Sequence, residues 1–298
     1  MNRAEKRRQK KLAAKTAKGQ KTAPPNPDSP DHQAASLSLA VQHHAAGRLD
    51  EAEKIYRQIL QANPDDPSAL NLLGTIANQM GHHESAVSLI SKAVSIKPSY
   101  VTAYCNLGNA FQGLGKMDEA ISSYHKALEL QPDLAEAFYN LGSAYKDLER
   151  SDEAVANYLK AIEIRPDYAE AHNNVGIVYR NMGNHDAATA SHQKAIDLNP
   201  QFSEAHYNLG NVFRDQKKHD EAQTCYETAL ALNPEFADAH SNLGITHRDK
   251  GDFERALKHL QKAIGFKSGF ADAHYNLGLL QFLLGDFKNG WINYAWRM

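Results

Sequence analysis

Along residues 135–166, AEAFYNLGSAYKDLERSDEAVANYLKAIEIRP, apolar side chains fall at Ala137, Leu141, Ala144, Tyr145 and Leu148. Steps of three and four place them on one stripe of a helix. A polar break follows at Glu149–Asp152, and a second stripe runs through Ala154, Val155, Tyr158, Ala161 and Ile162. Pro166 ends it, because proline lacks the N–H that would continue the helix. The pattern predicts two helices joined by a tight turn.

The pattern returns every 34 residues: Pro64, Pro98, Pro132, Pro166, Pro200 and Pro234 share one phase, as do Gly74, Gly108, Gly142, Gly176, Gly210, Gly244 and Gly278. Ala52, Ala86, Ala120, Ala154, Ala188, Ala222 and Ala256 form a third register. In the turn most copies carry glycine, at Gly47, Gly81, Gly115, Gly183, Gly251 and Gly285, which suits a left-handed cap on the first helix. Asp152, with Asp50, Asp118, Asp186 and Asp220 in the same register, is expected to cap the second helix. The small residues let the two helices approach closely, with the larger Leu and Tyr filling the space beside them. One hairpin cannot bury both apolar stripes, so the copies must stack. Seven full copies end at Pro64, Pro98, Pro132, Pro166, Pro200, Pro234 and Ser268, and an incomplete eighth spans residues 269–298.

Leu141-Gly142, Tyr145, Ala154, Tyr158, Ala161 and Pro166 together resemble the tetratricopeptide motif, and the likeness extends over residues 31–298. The resemblance implies an all-α fold: a right-handed superhelical solenoid of stacked antiparallel helix pairs. The ends depart from the pattern. Ser36 and Ala40 stand at the usual large-residue and glycine positions of the first copy, as in an atypical capping repeat. The last copy has Gly290 where Ala is expected, followed by Trp291, Tyr294 and Trp296.

Charge adds a tail to this picture. The net charge of −2 divides into +7 over residues 1–30, from nine Lys or Arg against Glu5 and Asp28, and −9 over the remainder. Residues 21–31, with Pro24, Pro25, Pro27 and Pro30, read as a linker. Residues 1–30 are read as a disordered, solvated tail, with weak contact to an anionic surface or nucleic acid as alternatives. The lack of aromatics there weakens the nucleic-acid case. No apolar run approaches the ~18 residues of a membrane span, and no apolar stretch follows the basic N-terminus as in a secretory signal. Cys105 and Cys225 are too few for a disulfide framework. The expected location is the cytoplasm.

Candidate chemistry is sparse. His83-Glu84 begins like a zinc-protease helix, but Val87 stands where the second histidine belongs. Gly115-Lys116 is followed by Met117, not by the Ser or Thr of a phosphate-binding loop. No nucleophile motif or dinucleotide fingerprint is present, so no enzyme activity, catalytic residue or cofactor is expected. His172, His206, His240 and His274 share a register. Successive members would lie ~8–10 Å apart, too far for one metal whose ligands each sit ~2 Å away. They are read as packing positions, with no metal.

Asn106, Asn140, Asn174, Asn208, Asn242 and Asn276 occupy one position in six consecutive copies. In the fourth copy this register shares a face with Glu136, Ser143 and Asp147, apart from the apolar stripe. Since first helices line the inner wall in the tetratricopeptide family, the resemblance implies an asparagine ladder along a groove. Asparagine is a poor helix former, so its repetition needs a reason. Two uses fit. Its amide can bond both N–H and C=O of an extended peptide, or it can bond the neighbouring copy and set the stacking. Arg180, Arg214 and Arg248, with Asp147, Asp215 and Asp249, would add charge selectivity to the same wall, or serve only as solvated surface.

The ladder looks most like the superhelical repeat region of O-linked N-acetylglucosamine transferases, where asparagines hold protein substrates by the backbone. Residues 285–297, GDFKNGWINYAWR, resemble the final repeat of bacterial proteins that continue into a glycosyltransferase domain. The first reading is therefore a scaffold that binds an extended polypeptide. The alternative is the substrate-recognition part of such a transferase, its catalytic domain absent from this chain. The apolar C-terminal end is expected to meet a second copy or a partner domain.

Overall fold

The computed structural model describes residues 30–297; the basic tail, residues 1–29, lies outside them. Among the described residues there are sixteen α-helices and no strand. The first two pairs are α1 (Pro30–Ala45) with α2 (Leu49–Ala62) and α3 (Pro67–Gln79) with α4 (His83–Ile96); α5 (Val101–Gly113) and α6 (Met117–Leu130) follow in the chain. Then come α7 (Ala135–Asp147) with α8 (Ser151–Ile164), α9 (Ala169–Asn181) with α10 (His185–Leu198), and α11 (Ser203–Asp215) with α12 (His219–Leu232). The last are α13 (Ala237–Asp249) with α14 (Phe253–Phe266), and α15 (Ala271–Leu283) with α16 (Phe287–Tyr294), followed by a 3-10 turn at Ala295–Arg297. None of these helices is long and apolar enough to cross a membrane. Pro30, read from the sequence as linker, opens α1, where a missing N–H disrupts nothing.

The helices form two compact bodies, one ending at Lys116 and one beginning at Met117. In the second body, α8 lies between its partner α7 and the next first helix, α9, and α10, α12 and α14 are sandwiched in the same way. The cores sit at these junctions. Ala154 and Tyr158 of α8 pack with Val175 and Val178 of α9. Ala256 and Leu260 of α14 pack with Leu277 and Leu280 of α15. In the first body, Ala86 and Ile90 of α4 meet Ala103, Leu107 and Ala110 of α5. Burying a Val or Leu side chain contributes ~1.5–3 kcal/mol, and most of that gain requires the neighbouring pair. Stacking is thus a condition of stability.

Close approach within a pair depends on the glycine register. A Cβ on Gly142 would stand 2.7 Å from the Tyr158 ring, and one on Gly210 2.7 Å from the Tyr226 ring. The seven register alanines, Ala52 through Ala256, are fully buried. The turn glycines adopt the expected left-handed backbone, with φ between 71° and 82°. Glu149 and Lys217 take the same conformation at φ 58° and 60°, although they carry side chains.

The predicted aspartate caps are corrected. The helix α8 begins at Ser151, its N-cap is Arg150, and no side chain caps it. Asp152 and Asp50, Asp118, Asp186 and Asp220 lie inside the first turn, where a carboxylate favours the positive helix end without accepting the capping bond. Side-chain caps come instead from Asp66, Asn184, Asp252 and Asp286.

Candidate peptide-binding face

The six ladder asparagines sit at mid-height on α5, α7, α9, α11, α13 and α15, each half-buried. The amide groups of four of them reach the preceding first helix, at the residue 35 positions earlier. Asn106 Nδ2 donates to Asn71 Oδ1 at 3.0 Å, Asn174 Nδ2 to the Tyr139 hydroxyl at 2.9 Å, and Asn208 Nδ2 to Asn173 Oδ1 at 3.1 Å. Asn242 Nδ2 donates to the Tyr207 hydroxyl at 3.1 Å and to Asn211 Oδ1 at 2.8 Å. The residue 35 positions before Asn276 is Ser241, too short to be reached. Asn276 Nδ2 instead donates to the carbonyl of Asp272 at 2.7 Å, while its Oδ1 accepts from Arg248 Nη1 at 3.1 Å. Asn140 also departs from the pattern, with an Nδ2 buried and unpartnered.

The acceptors are themselves held. Asn173 Oδ1 also accepts from Nδ1 of the buried His192 at 3.0 Å, and Asn211 Oδ1 from the Tyr226 hydroxyl at 2.8 Å. Burial raises the Tyr139 and Tyr207 phenols above their ordinary pKa, so both stay protonated. Asn71, Asn173 and Asn211 are buried polar groups that periodicity did not single out. For Asn71 and Asn173 the signal in the sequence is the register just before the ladder, where Asn71, Tyr139, Asn173 and Tyr207 each offer an oxygen.

With the donors so placed, Oδ1 of Asn106, Asn174, Asn208 and Asn242 bonds to nothing among the described residues and is not sealed from solvent. A short row of oriented acceptors therefore remains open in the second body, with Asn106 offering one in the first.

The charged residues of the same face mostly pair with one another. Arg180 Nε meets Asp215 Oδ2 at 2.6 Å across two helix pairs, Arg248 bonds Asp249 at 2.9 Å, and Asp147 lies 3.4 Å from Lys146 Nζ. Arg214 has no ion-pair partner among the described residues. The four registered histidines tether loops: Nε2 of His172, His206, His240 and His274 donates to the carbonyl six residues upstream, at 3.0–3.2 Å.

Tetratricopeptide repeat models match residues 28–76 and 67–100, then overlapping segments from 99 to 267. The chain belongs to the tetratricopeptide repeat family. Among solved structures, MamA is 29% identical, over 54% of this chain and 95% of its own, with a TM-score of 0.50. A thermophilic tetratricopeptide protein of Thermus thermophilus, TTC0263, is 26% identical, over 61% of this chain and 98% of its own, with a TM-score of 0.54. A chain of the APC/C hetero-tetramer Cut9–Hcn1 is 17% identical over 90% of this chain and 52% of its own, with a TM-score of 0.67, a likeness of fold alone. No curated protein matches the sequence. The tetratricopeptide fold makes this chain a helical-repeat scaffold of the protein-binding kind.

Proposed function

We propose that the asparagine face holds an extended stretch of another protein by its backbone. The observation that carries this reading is the set of free Oδ1 atoms, each held in place by a bonded Nδ2 on the same amide. Fixed acceptors suit backbone N–H groups, and pre-organised ones bind without loss of side-chain freedom. In an extended chain, N–H groups facing one way recur every ~7 Å, whereas stacked helices repeat at ~8–10 Å. The mismatch confines one bond per repeat to a short segment of a few repeats. Affinity is therefore spread over several weak contacts and only mildly sequence-selective. The unpaired Arg214 adds a preference for an acidic side chain beside it.

The test is a titration of the best binder from a random peptide library against the protein and its Asn174, Asn208 and Asn242→Ala triple variant. At ~0.5–1.5 kcal/mol per bond, affinity falls about ten- to a thousandfold. Unchanged affinity in a folded triple variant refutes the reading. The glycosyltransferase alternative rests on the resemblance of the ladder and of residues 285–297, and makes the same groove the substrate-recognition part of that enzyme.

A further inference from the structure

We propose that the asparagine face selects a polypeptide segment bearing lysines or arginines, through a row of carboxylates one helical turn before the amides. This rests on the reading above that the face holds an extended polypeptide by its backbone. Glu136, Glu170, Glu204, Asp238 and Asp272 recur every 34 residues, each four positions before a ladder asparagine and so on the same face of its helix. All five lie on first helices of the second body, α7, α9, α11, α13 and α15. In the first body the same register carries Ser68 and Thr102.

These carboxylates are open to a partner. Glu136, Glu170, Glu204 and Asp272 are exposed and Asp238 is half-buried. None of the five forms an ion pair among the described residues, and Glu204 accepts only from the Ser203 hydroxyl, at 2.9 Å. Burial first, then Tyr139, raises the Tyr168 phenol to about 12, and Glu136 and Glu170 both add to it, so carboxylates of consecutive first helices lie near one ring. The cations of the face are engaged elsewhere. Lys146, Arg180 and Arg248 lie against Asp147, Asp215 and Asp249, and Arg165 is laid over the Tyr168 ring, 4.2 Å from its centroid. Arg214 alone in its register has no ion-pair partner among the described residues, which leaves room for one acidic side chain among the basic ones.

The chemistry of the face is therefore one-sided. The free Oδ1 atoms of Asn174, Asn208 and Asn242 accept hydrogen bonds, and so do the carboxylates four residues before them. An occupant must bring donors: backbone N–H groups for the amides, and Lys or Arg side chains for the carboxylates. Side chains along one edge of an extended chain recur every ~7 Å, and carboxylates on stacked helices every ~8–10 Å. Long, flexible Lys and Arg stems absorb that difference. The result is selectivity for charge rather than for sequence. An acid in the first turn also favours the helix end in its own right, but that role acts on stability and not on affinity.

Two fluorescent peptides of about twelve residues, one alternating Lys with Ser and the other Gln with Ser, are titrated against the full chain and a full-length variant. The variant combines Glu136→Gln, Glu170→Gln and Glu204→Gln, which remove charge and keep shape. The Lys peptide should bind the wild type about tenfold or more tightly than the Gln peptide at low salt, an advantage that shrinks as salt is added. The variant should lose that advantage while binding the Gln peptide within about twofold of wild type, with the helical circular dichroism unchanged. Equal wild-type affinities for the two peptides overturn the charge selectivity and leave backbone binding standing. A Lys preference that survives in the variant overturns it as well, as does a variant that melts earlier with its affinities unchanged, which assigns the acids to the helix ends. A wild type that binds neither peptide overturns the selectivity together with the backbone reading beneath it.

Discussion

Asn174 Nδ2 donates to the hydroxyl of Tyr139, 2.9 Å away and one helix pair earlier, so the ladder stitches neighbouring first helices together while turning its oxygen outward. Replacing Asn174 by Ala removes a bond worth ~0.5–1.5 kcal/mol, against a few tenths regained from helix propensity. Asn140→Ala removes a buried amide that has no partner, and stability should hold or rise. Thermal melts of the two single variants give the check. Equal melting temperatures would dismiss the stacking role. By the same reasoning the triple variant that tests peptide binding should also melt earlier, so its titration belongs below its melting range.

Acid should loosen the second body through His192. This side chain is fully buried, and its Nε2 has no hydrogen-bond partner. Burial, with a smaller contribution from Arg180, lowers its pKa to about 4 from the ordinary 6.5. The folded state therefore keeps it neutral where the unfolded chain is already protonated. Its contribution is fully present above pH ~6.5 and is lost as the pH falls towards 4, at most about 3 kcal/mol in all. Leucine occupies the same register at Leu260. Urea midpoints of His192→Leu between pH 4 and 7 should depend less on pH than those of the wild type, and an identical slope would contradict this account.

The glycine register should tolerate alanine unequally. A Cβ on Gly142 presses on the Tyr158 ring, which can shift. A Cβ on Gly278 would meet the backbone nitrogen of Tyr294 at 2.6 Å and the Gly290 carbonyl at 2.9 Å. Gly142→Ala is expected to cost ~1–3 kcal/mol, as overpacking does. Gly278→Ala should cost more than Gly142→Ala in α15–α16, read by hydrogen exchange across residues 271–294.

Two turns hold room for improvement. Glu149 and Lys217 adopt the left-handed backbone that six glycines take elsewhere in this register. A non-glycine residue there is disfavoured by ~1–2 kcal/mol, partly offset by the entropy glycine loses on folding. Glu149→Gly and Lys217→Gly should each raise stability by about 0.5–1 kcal/mol, measured as a higher urea midpoint with an unchanged slope.

Much of the fold is legible in the amino-acid sequence. The phase of Pro166 and its counterparts, the Gly142 and Ala154 registers and the turn glycines specify helix pairs that pack closely and must stack. They do so because helix periodicity and steric size act locally and recur in every copy. The position of Asn174 on a face apart from the apolar stripe was equally visible. Its partner was not. Periodicity tells which way a side chain points, but not which atom 35 residues away comes within 3 Å of it. That depends on the spacing between first helices and on the length of the neighbouring side chain. Tyr139 reaches Asn174, whereas Ser241 is too short for Asn276, so one register of identical amides is satisfied in different ways. The same holds for Phe282 and Gly290, whose exchange of bulk between two registers is invisible until their helices are set side by side. Sequence alone thus determined the repeating helix pair and the faces it presents. The tertiary structure decided how each amide, arginine and aromatic ring is used, because those choices are made between repeats, at distances the local pattern does not encode.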